Sequence, residues 1–242
     1  MVLVTIVIPV YRDSEALART LSLLDGGGAE LIVVSTGEDA GSLAPLRLTR
    51  SDIVWIQAPR GRARQMNAGA AIARGRWLLF LHADTRLSPG WRSAIVAADR
   101  DPHVSAGCFR FALDSRSPFA RLLELGVRLR VRLFALPYGD QALFVKREVF
   151  EALRGYSDLP IMEDVDLVRR LRARPSAGPL FRASYPAITS ARRWERDGWV
   201  GRTARHLALI VLYFCGVAPE RLVRFDRARQ SHPDPRERRM YL

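Results

Sequence analysis

The sequence predicts an α/β fold with a mainly parallel central sheet flanked by helices. Residues 2–10 are almost continuously apolar and rich in β-branched side chains, the pattern of a strand covered on both faces. Strand-like and helix-like apolar patterns then alternate, as in a doubly wound sheet. At 242 residues and 48% hydrophobic, the chain suits one core with elaborations better than two independent units.

After the first strand, Asp13 or Ser14 can cap a helix carrying Leu17, Leu21 and Leu24, and Gly26-Gly27-Gly28 ends it. Strands follow at 31–34 and 53–56. Ala63, Met66, Ala70 and Ala73 mark a second helix that stops at Gly75, and a fourth strand covers 77–81. The second half is less regular. Strands are expected at 107–113 and 142–145, a basic amphipathic helix at 118–136, a helix opening near Glu163, and another over about 198–214. Residues 1–228 read as a single domain and 229–242 as a polar, loosely ordered tail.

The net charge of +13 is carried almost wholly by arginine, since Lys146 is the only lysine. Guanidinium groups suit diphosphates, nucleic-acid phosphates and lipid headgroups alike, so charge alone selects no partner. Nucleic-acid binding is not expected: zinc-knuckle and RNA-recognition motifs are absent, and the arginines are spread along the chain. Cys108 and Cys215 make neither a disulfide framework nor a metal cluster. The first residues lack a basic n-region and read as a strand rather than a signal peptide. The late apolar stretch 207–218 is well short of the ~20 residues of a membrane span. A cytoplasmic protein is expected. The amphipathic stretches 118–136 and 206–218 suit ordinary core helices, with peripheral membrane contact as an addition.

Ligands of such sheets bind beyond the carboxyl ends of the strands. Polar residues stand at those places: Tyr11-Arg12-Asp13, Ser35-Thr36-Gly37 and His82-Ala83-Asp84. Asp84 suits a hard cation that completes its shell with waters and phosphates, although capping the turn before Pro89 explains it equally well. Glu163, Asp164 and Asp166 open a helix that closes on Arg169, Arg170 and Arg172. Macrodipole complementarity explains that order, but so dense a cluster also raises carboxyl pKa values toward those of a general base. Arg192-Arg193-Trp194 suits a clamp on a leaving diphosphate. Arg60, Arg62 and Arg64 sit at a helix start, a natural anion site.

In order along the chain, 4–11, the arginine-rich turn ending in Asn67-Ala68-Gly69, His82-Ala83-Asp84, Glu163-Asp164 and Arg192-Arg193-Trp194 resemble family 2 glycosyltransferases of the GT-A fold. The resemblance spans roughly residues 4–215. Together with Tyr138-Gly139-Asp140-Gln141, the motifs are similar to a bacterial subgroup named for radical-SAM/selenodomain gene neighbourhoods and linked to arsenosugar biosynthesis.

The resemblance implies a Rossmann-like nucleotide-diphospho-sugar transferase. About 1–113 would form the nucleotide-sugar-binding half and about 114–228 the acceptor half. A nucleotide-sugar donor, expected to be a UDP-sugar, would meet Pro9, Val10, Tyr11, Asp13, Ser35, Arg62, Arg64, Gln65, His82, Ala83, Asp84, Arg192, Arg193 and Trp194. Asp84 would hold Mg²⁺ or Mn²⁺. Asp164, beside Glu163, would be the base, and Gly139, Asp140 and Gln141 would meet the hydroxyl acceptor. Inversion at the anomeric carbon is implied by membership.

Two positions depart from the pattern. Ser35-Thr36-Gly37 stands where the family has an acid, with Glu38 or Asp39 as substitutes, and His82 replaces the first acid of the DxD motif. A nucleotidyltransferase of related fold is a competing reading, although its glycine-rich loop is missing at Tyr11-Arg12-Asp13. A degenerate, non-catalytic nucleotide- or anion-binding domain is another.

Overall fold

The computed structural model describes residues 2–24, 27–174 and 178–230. Gly26 and the tail beyond Gln230 lie outside the described residues.

Four strands form the first part of the sheet, the buried β1 (Val4–Pro9), β2 (Glu30–Ser35) and β4 (Trp77–Phe80) and the partly exposed edge strand β3 (Ile53–Gln57). They run parallel in the order β3-β2-β1-β4. Their side chains alternate between two apolar layers, which explains the near-continuous hydrophobic runs. Val7, Val34 and Phe80 enter one layer, while Ile6, Ile8, Val33 and Leu79 enter the other.

The helices between these strands are α1 (Ser14–Leu23), α2 (Ala40–Thr49) and α3 (Arg62–Ile72). Helix α3 lies close on β1 because Gly69 lacks a side chain; a Cβ there would run into Val7 and Val34. Beyond β4 come β5 (Thr85–Leu87), α4 (Trp91–Arg100) and β6 (Ala106–Leu113). They are followed by α5 (Pro118–Phe134), β7 (Phe144–Lys146), α6 (Arg147–Ala152) and α7 (Glu163–Arg172). The described chain ends with β8 (Phe181–Thr189), α8 (Arg192–Asp197), α9 (Trp199–Phe214) and α10 (Pro219–Gln230).

The sheet continues from β4 as β7-β6-β8-β5, with antiparallel pairing at β4–β7, β6–β7 and β5–β8, and parallel pairing at β6–β8. The doubly wound part therefore stops at β4, and a mixed half follows.

Three local expectations are corrected. Asp13 occupies the cap position of α1, but its carboxylate makes no cap bond and turns instead to Arg192. Helix α5 is the expected amphipathic helix, yet Phe119, Leu122 and Leu133 of its apolar face are exposed. Its inward positions are Ala120, Glu124, Val127 and Val131. Glu124 faces inward because it accepts the Leu113 N–H at 2.8 Å and pairs with Arg121. Finally, α10 carries the helical chain through Gln230, past the boundary expected at residue 228.

Candidate active site

The crossover that carries the chain from β3 back to β4 beside β1 leaves a crevice at the carboxyl ends of β1 and β4. A cavity of about 450 Å³ lies beyond the carboxyl end of β4. Its lining includes Arg62, His82, Asp84, Asp140, Asp164 and Arg193. Residues distant in sequence thus share one cleft.

Asp84 follows β4, with its side chain only 10% exposed. Arg192 and Arg193 approach its carboxylate at 4.0 and 3.9 Å. Arg192 also pairs with Asp13, and Arg193 stands 3.9 Å from it. The backbone fixes this meeting: Ser190 donates its N–H to the Asp84 carbonyl at 3.0 Å, and β5 pairs with β8 just before α8. Among the described residues Asp84 makes no hydrogen bond to the turn before Pro89, so the capping explanation fails.

Asp164 sits in the first turn of α7. Its Oδ2 accepts the Gly139 N–H at 2.6 Å and its Oδ1 accepts the Val165 N–H at 2.8 Å. A Cβ on Gly139 would lie 2.8 Å from His82 Nε2 and 3.2 Å from Asp164 Oδ2. His82 and Asp164 therefore both occupy the space that a side chain at Gly139 would need. Burial and the Arg62 charge push the His82 pKa down to about 4, so its imidazole is neutral.

Glu163 has a different task. It is 1% exposed and pairs with Arg62 at 2.8 Å. Burial raises its pKa, and Arg62 opposes that rise. Asp166 turns to Ser157 and Arg170, so the three acids at this helix start do not form one cluster. The carboxyl displaced most clearly toward neutrality is Asp140. Burial lifts it to about 6, aided by Asp164 and Asp84 and opposed by Arg130. Its Oδ1 is buried without a partner.

Three non-glycine residues adopt left-handed backbone beside these loops: Arg12 (φ 49°), Ala142 (φ 46°) and Met162 (φ 67°). Such conformations cost free energy and persist where surrounding contacts enforce them. Arg12 is held by its N–H to Asp39 at 2.6 Å and by its guanidinium to Glu38 at 2.7 Å. Beside it, Tyr11 meets the guanidinium of Arg60, 4.4 Å from the ring centroid.

Several residues expected at the donor are turned elsewhere. Gln65 is buried and donates to the carbonyls of Val10 and Val34, both at 2.8 Å, tying β1 to β2. Ser35 is buried and accepts from Arg47 at 3.1 Å. Arg64 pairs with Asp158 at the surface. Val10 and Ala83 belong to the core, and Pro9 is buried at the end of β1. Gln141, expected at the acceptor, is buried and donates to the Phe109 carbonyl at 3.1 Å. Of the proposed substitutes for the missing acid, Asp39 is buried within its own turn and accepts from Thr36 and Arg12, whereas Glu38 is half exposed beside Tyr11.

Other cleft residues were absent from the expectation. Arg130 of α5 stacks on Tyr138, with 3.4 Å from its guanidinium carbon to the ring centroid. Arg202, Arg205 and His206 line the α9 side. Their spacing is the available signal, because polar residues at i, i+3 and i+4 within an apolar helix mark one face. Trp194 is 7% exposed, and its indole N–H lacks a partner beside the cleft.

The sequence model of glycosyl transferase family 2 matches residues 5–150. The chain belongs to glycosyltransferase family 2. This membership sets aside the nucleotidyltransferase reading. An uncharacterized protein of Mycobacterium tuberculosis (strain CDC 1551 / Oshkosh), MT1568, is 31% identical over 108 residues, covering 42% of this chain and 34% of that protein.

Among solved structures, S. aureus TarS 1-349 in complex with UDP-GlcNAc matches with a TM-score of 0.59 at 12% identity, covering 78% of this chain and 58% of that one. Glucosyl-3-phosphoglycerate synthase from M. tuberculosis, in complex with Mn²⁺, UDP and phosphoglyceric acid, matches with a TM-score of 0.58 at 15% identity, covering 89% and 79%. These likenesses establish the GT-A fold. The chain spans about a third of MT1568 and under two thirds of TarS 1-349. Among the described residues, no helix is long and apolar enough to cross a membrane.

Proposed function

We propose that this protein is an inverting glycosyltransferase that moves a sugar from a UDP-sugar to a hydroxyl acceptor, with Asp164 as the general base. One observation carries the reading: Asp84, Arg193 and Asp164 line a single cavity, with Arg192 standing 4.0 Å from the Asp84 carboxylate. The UDP and UDP-GlcNAc bound by the neighbouring structures motivate the choice of donor.

The residues divide the work. Tyr11, flanked by Arg60 and with its hydroxyl 3.3 Å from Glu38, offers an aromatic face to the nucleobase. Arg192 and Arg193 take the diphosphate as its negative charge grows. The Gly139 N–H holds the Asp164 carboxylate in place. As the acceptor oxygen attacks the anomeric carbon, its proton passes to Asp164. The bond from the anomeric carbon to the diphosphate breaks on the opposite face, and the diphosphate leaves with the electron pair.

The donor set fits Mg²⁺ or Mn²⁺ held between protein and substrate. No group of three or more His, Cys, Asp or Glu able to hold an ion occurs among the described residues. Asp84 would be the residue that holds the ion, through a hard carboxylate oxygen. When bound, the cation adds positive charge beside the departing diphosphate. We propose a cytoplasmic location for the enzyme.

Calorimetry with UDP, with and without Mn²⁺, tests the reading. Mn²⁺ is expected to tighten UDP binding at least about tenfold, and Asp84→Ala to remove that gain. Equal UDP affinity with and without Mn²⁺ in the unaltered protein would overturn the metal assignment, and no UDP binding at all would overturn the donor.

A further inference from the structure

Sugar transfer leaves the outer faces of α5 and α9 unexplained. Along α5, Leu122 and Leu133 are 67% and 69% exposed, with Leu125 and Leu129 between them about half exposed. On α9, Val200, Leu207, Val211 and Phe214 are exposed, and their spacing of i, i+7, i+11 and i+14 puts them in one row. The inner sides of both helices line the cleft through Leu123 and Val127 of α5 and Leu209 and Ile210 of α9. Leu207 belongs to both the exposed row and the cleft. Single exposed leucines are ordinary on a surface, but two rows bordering one cavity are not.

Charge narrows the occupant. Helix α9 contains no acidic residue, and the one acid of α5, Glu124, is buried against Arg121. Arg128 and Arg132 stand exposed next to Leu129 and Leu133 and make no ion pair with a described residue. A second copy packed on this face through a two-fold axis would bring arginine to arginine. The face suits a partner that is apolar in depth and anionic at its surface. A bilayer with anionic headgroups has that profile: leucines and phenylalanines reach the acyl boundary while arginines extend to phosphates.

We propose that the α5–α9 face seats the protein on an anionic membrane surface, with the cleft mouth beside the lipid. Docking uses residues outside the transfer chemistry. It rests on the transferase reading only for its consequence, that the acceptor is collected at a membrane.

Co-sedimentation with vesicles tests it, using pure phosphatidylcholine against an equimolar mixture with phosphatidylglycerol. The protein is expected to sediment with the mixed vesicles and stay in solution with the neutral ones. The triple variant Leu122→Ser, Leu129→Ser, Leu133→Ser changes exposed positions only, and is expected to bind the mixed vesicles at least about tenfold more weakly. Arg128→Gln with Arg132→Gln is expected to reduce the preference for anionic lipid. Undiminished sedimentation of the triple variant, or equal binding to both vesicle types, would overturn the proposal. So would a dimer in analytical ultracentrifugation that the triple variant converts to monomer, since a second copy would then cover the face. UDP calorimetry on the same variants is expected to be unchanged, so a failure to dock is separable from a failure of the transferase reading.

Discussion

His82 Nε2 and Asp164 Oδ2 both crowd the bare Gly139, so close that a methyl group added there would stand 2.8 and 3.2 Å from them. Strand β4 leads into the imidazole and α7 supplies the carboxylate, which the Gly139 N–H of the turn Gly139–Gln141 holds at 2.6 Å. Gly139→Ala must push one of them aside. Turnover, read as UDP release from the donor, is expected to fall at least about tenfold, because small displacements of a catalytic base are costly. UDP affinity and melting temperature are expected to stay close to those of the parent; unchanged turnover would show that Asp164 tolerates the shift.

Asp164→Asn keeps the shape and removes the proton acceptor. UDP binding is expected to persist, while sugar transfer drops by roughly 10²–10⁴-fold, the range for loss of a general base. Single-turnover kinetics separate binding from chemistry, and full activity in this variant would remove Asp164 from the base role.

Asp140 carries a pH signature. Its pKa in the fold is about 6, above the 3.8 of an unperturbed aspartate. The unfolded chain therefore loses this proton first as pH rises, and the group lowers stability progressively between those two values. Asp140→Asn is expected to raise the melting temperature near pH 8, by on the order of 1–2 kcal/mol of stability, and to change little near pH 4. Thermal unfolding at both values checks it; a variant less stable than the parent at the higher pH would contradict the sign.

Arg62 and Glu163 form the other critical pair. Arg62→Met strands a carboxylate that is 1% exposed. The expected loss is roughly 3 kcal/mol, larger at high pH where the stranded group is ionised, and urea denaturation measures it. Loss of UDP binding without loss of stability would instead assign Arg62 to the donor.

The first half of the fold was legible because β1, β2 and β4 are buried on both faces and advertise this as apolar runs, while the edge strand β3 keeps a short apolar run although only Ile53 is buried. Strand β8 was not, since it mixes exposed and buried positions and contains Pro186. Helix α2 hides behind Pro45 and an early Gly-Ser pair. Helix α4 was readable: Trp91, Ala94, Ile95 and Ala98 repeat at helical spacing, although the sequence reading assigns no helix there.

For the site, strand-end position drew attention to Asp84, and motif order to Asp164 and Arg193, and all three line one cavity. Position was a poor guide to Gln65, Ser35 and Gln141, whose polar groups are used up on backbone or neighbouring side chains. A residue's type and place in sequence say that it can bind; only the surrounding hydrogen bonds say whether it is free to. Arg202, Arg205 and His206 reach the cleft because α9 returns over it, a tertiary event with no local trace beyond their spacing.

The insertion of β7 between β4 and β6 has a mechanical consequence. Strands from the early and late parts of the chain are stitched into one continuous ladder, so the loops carrying Asp84 and Asp140 hang from neighbouring strands of a single sheet. The hairpin of α9 and α10 stands outside that ladder and walls the cleft with Arg202, Arg205 and Asp226.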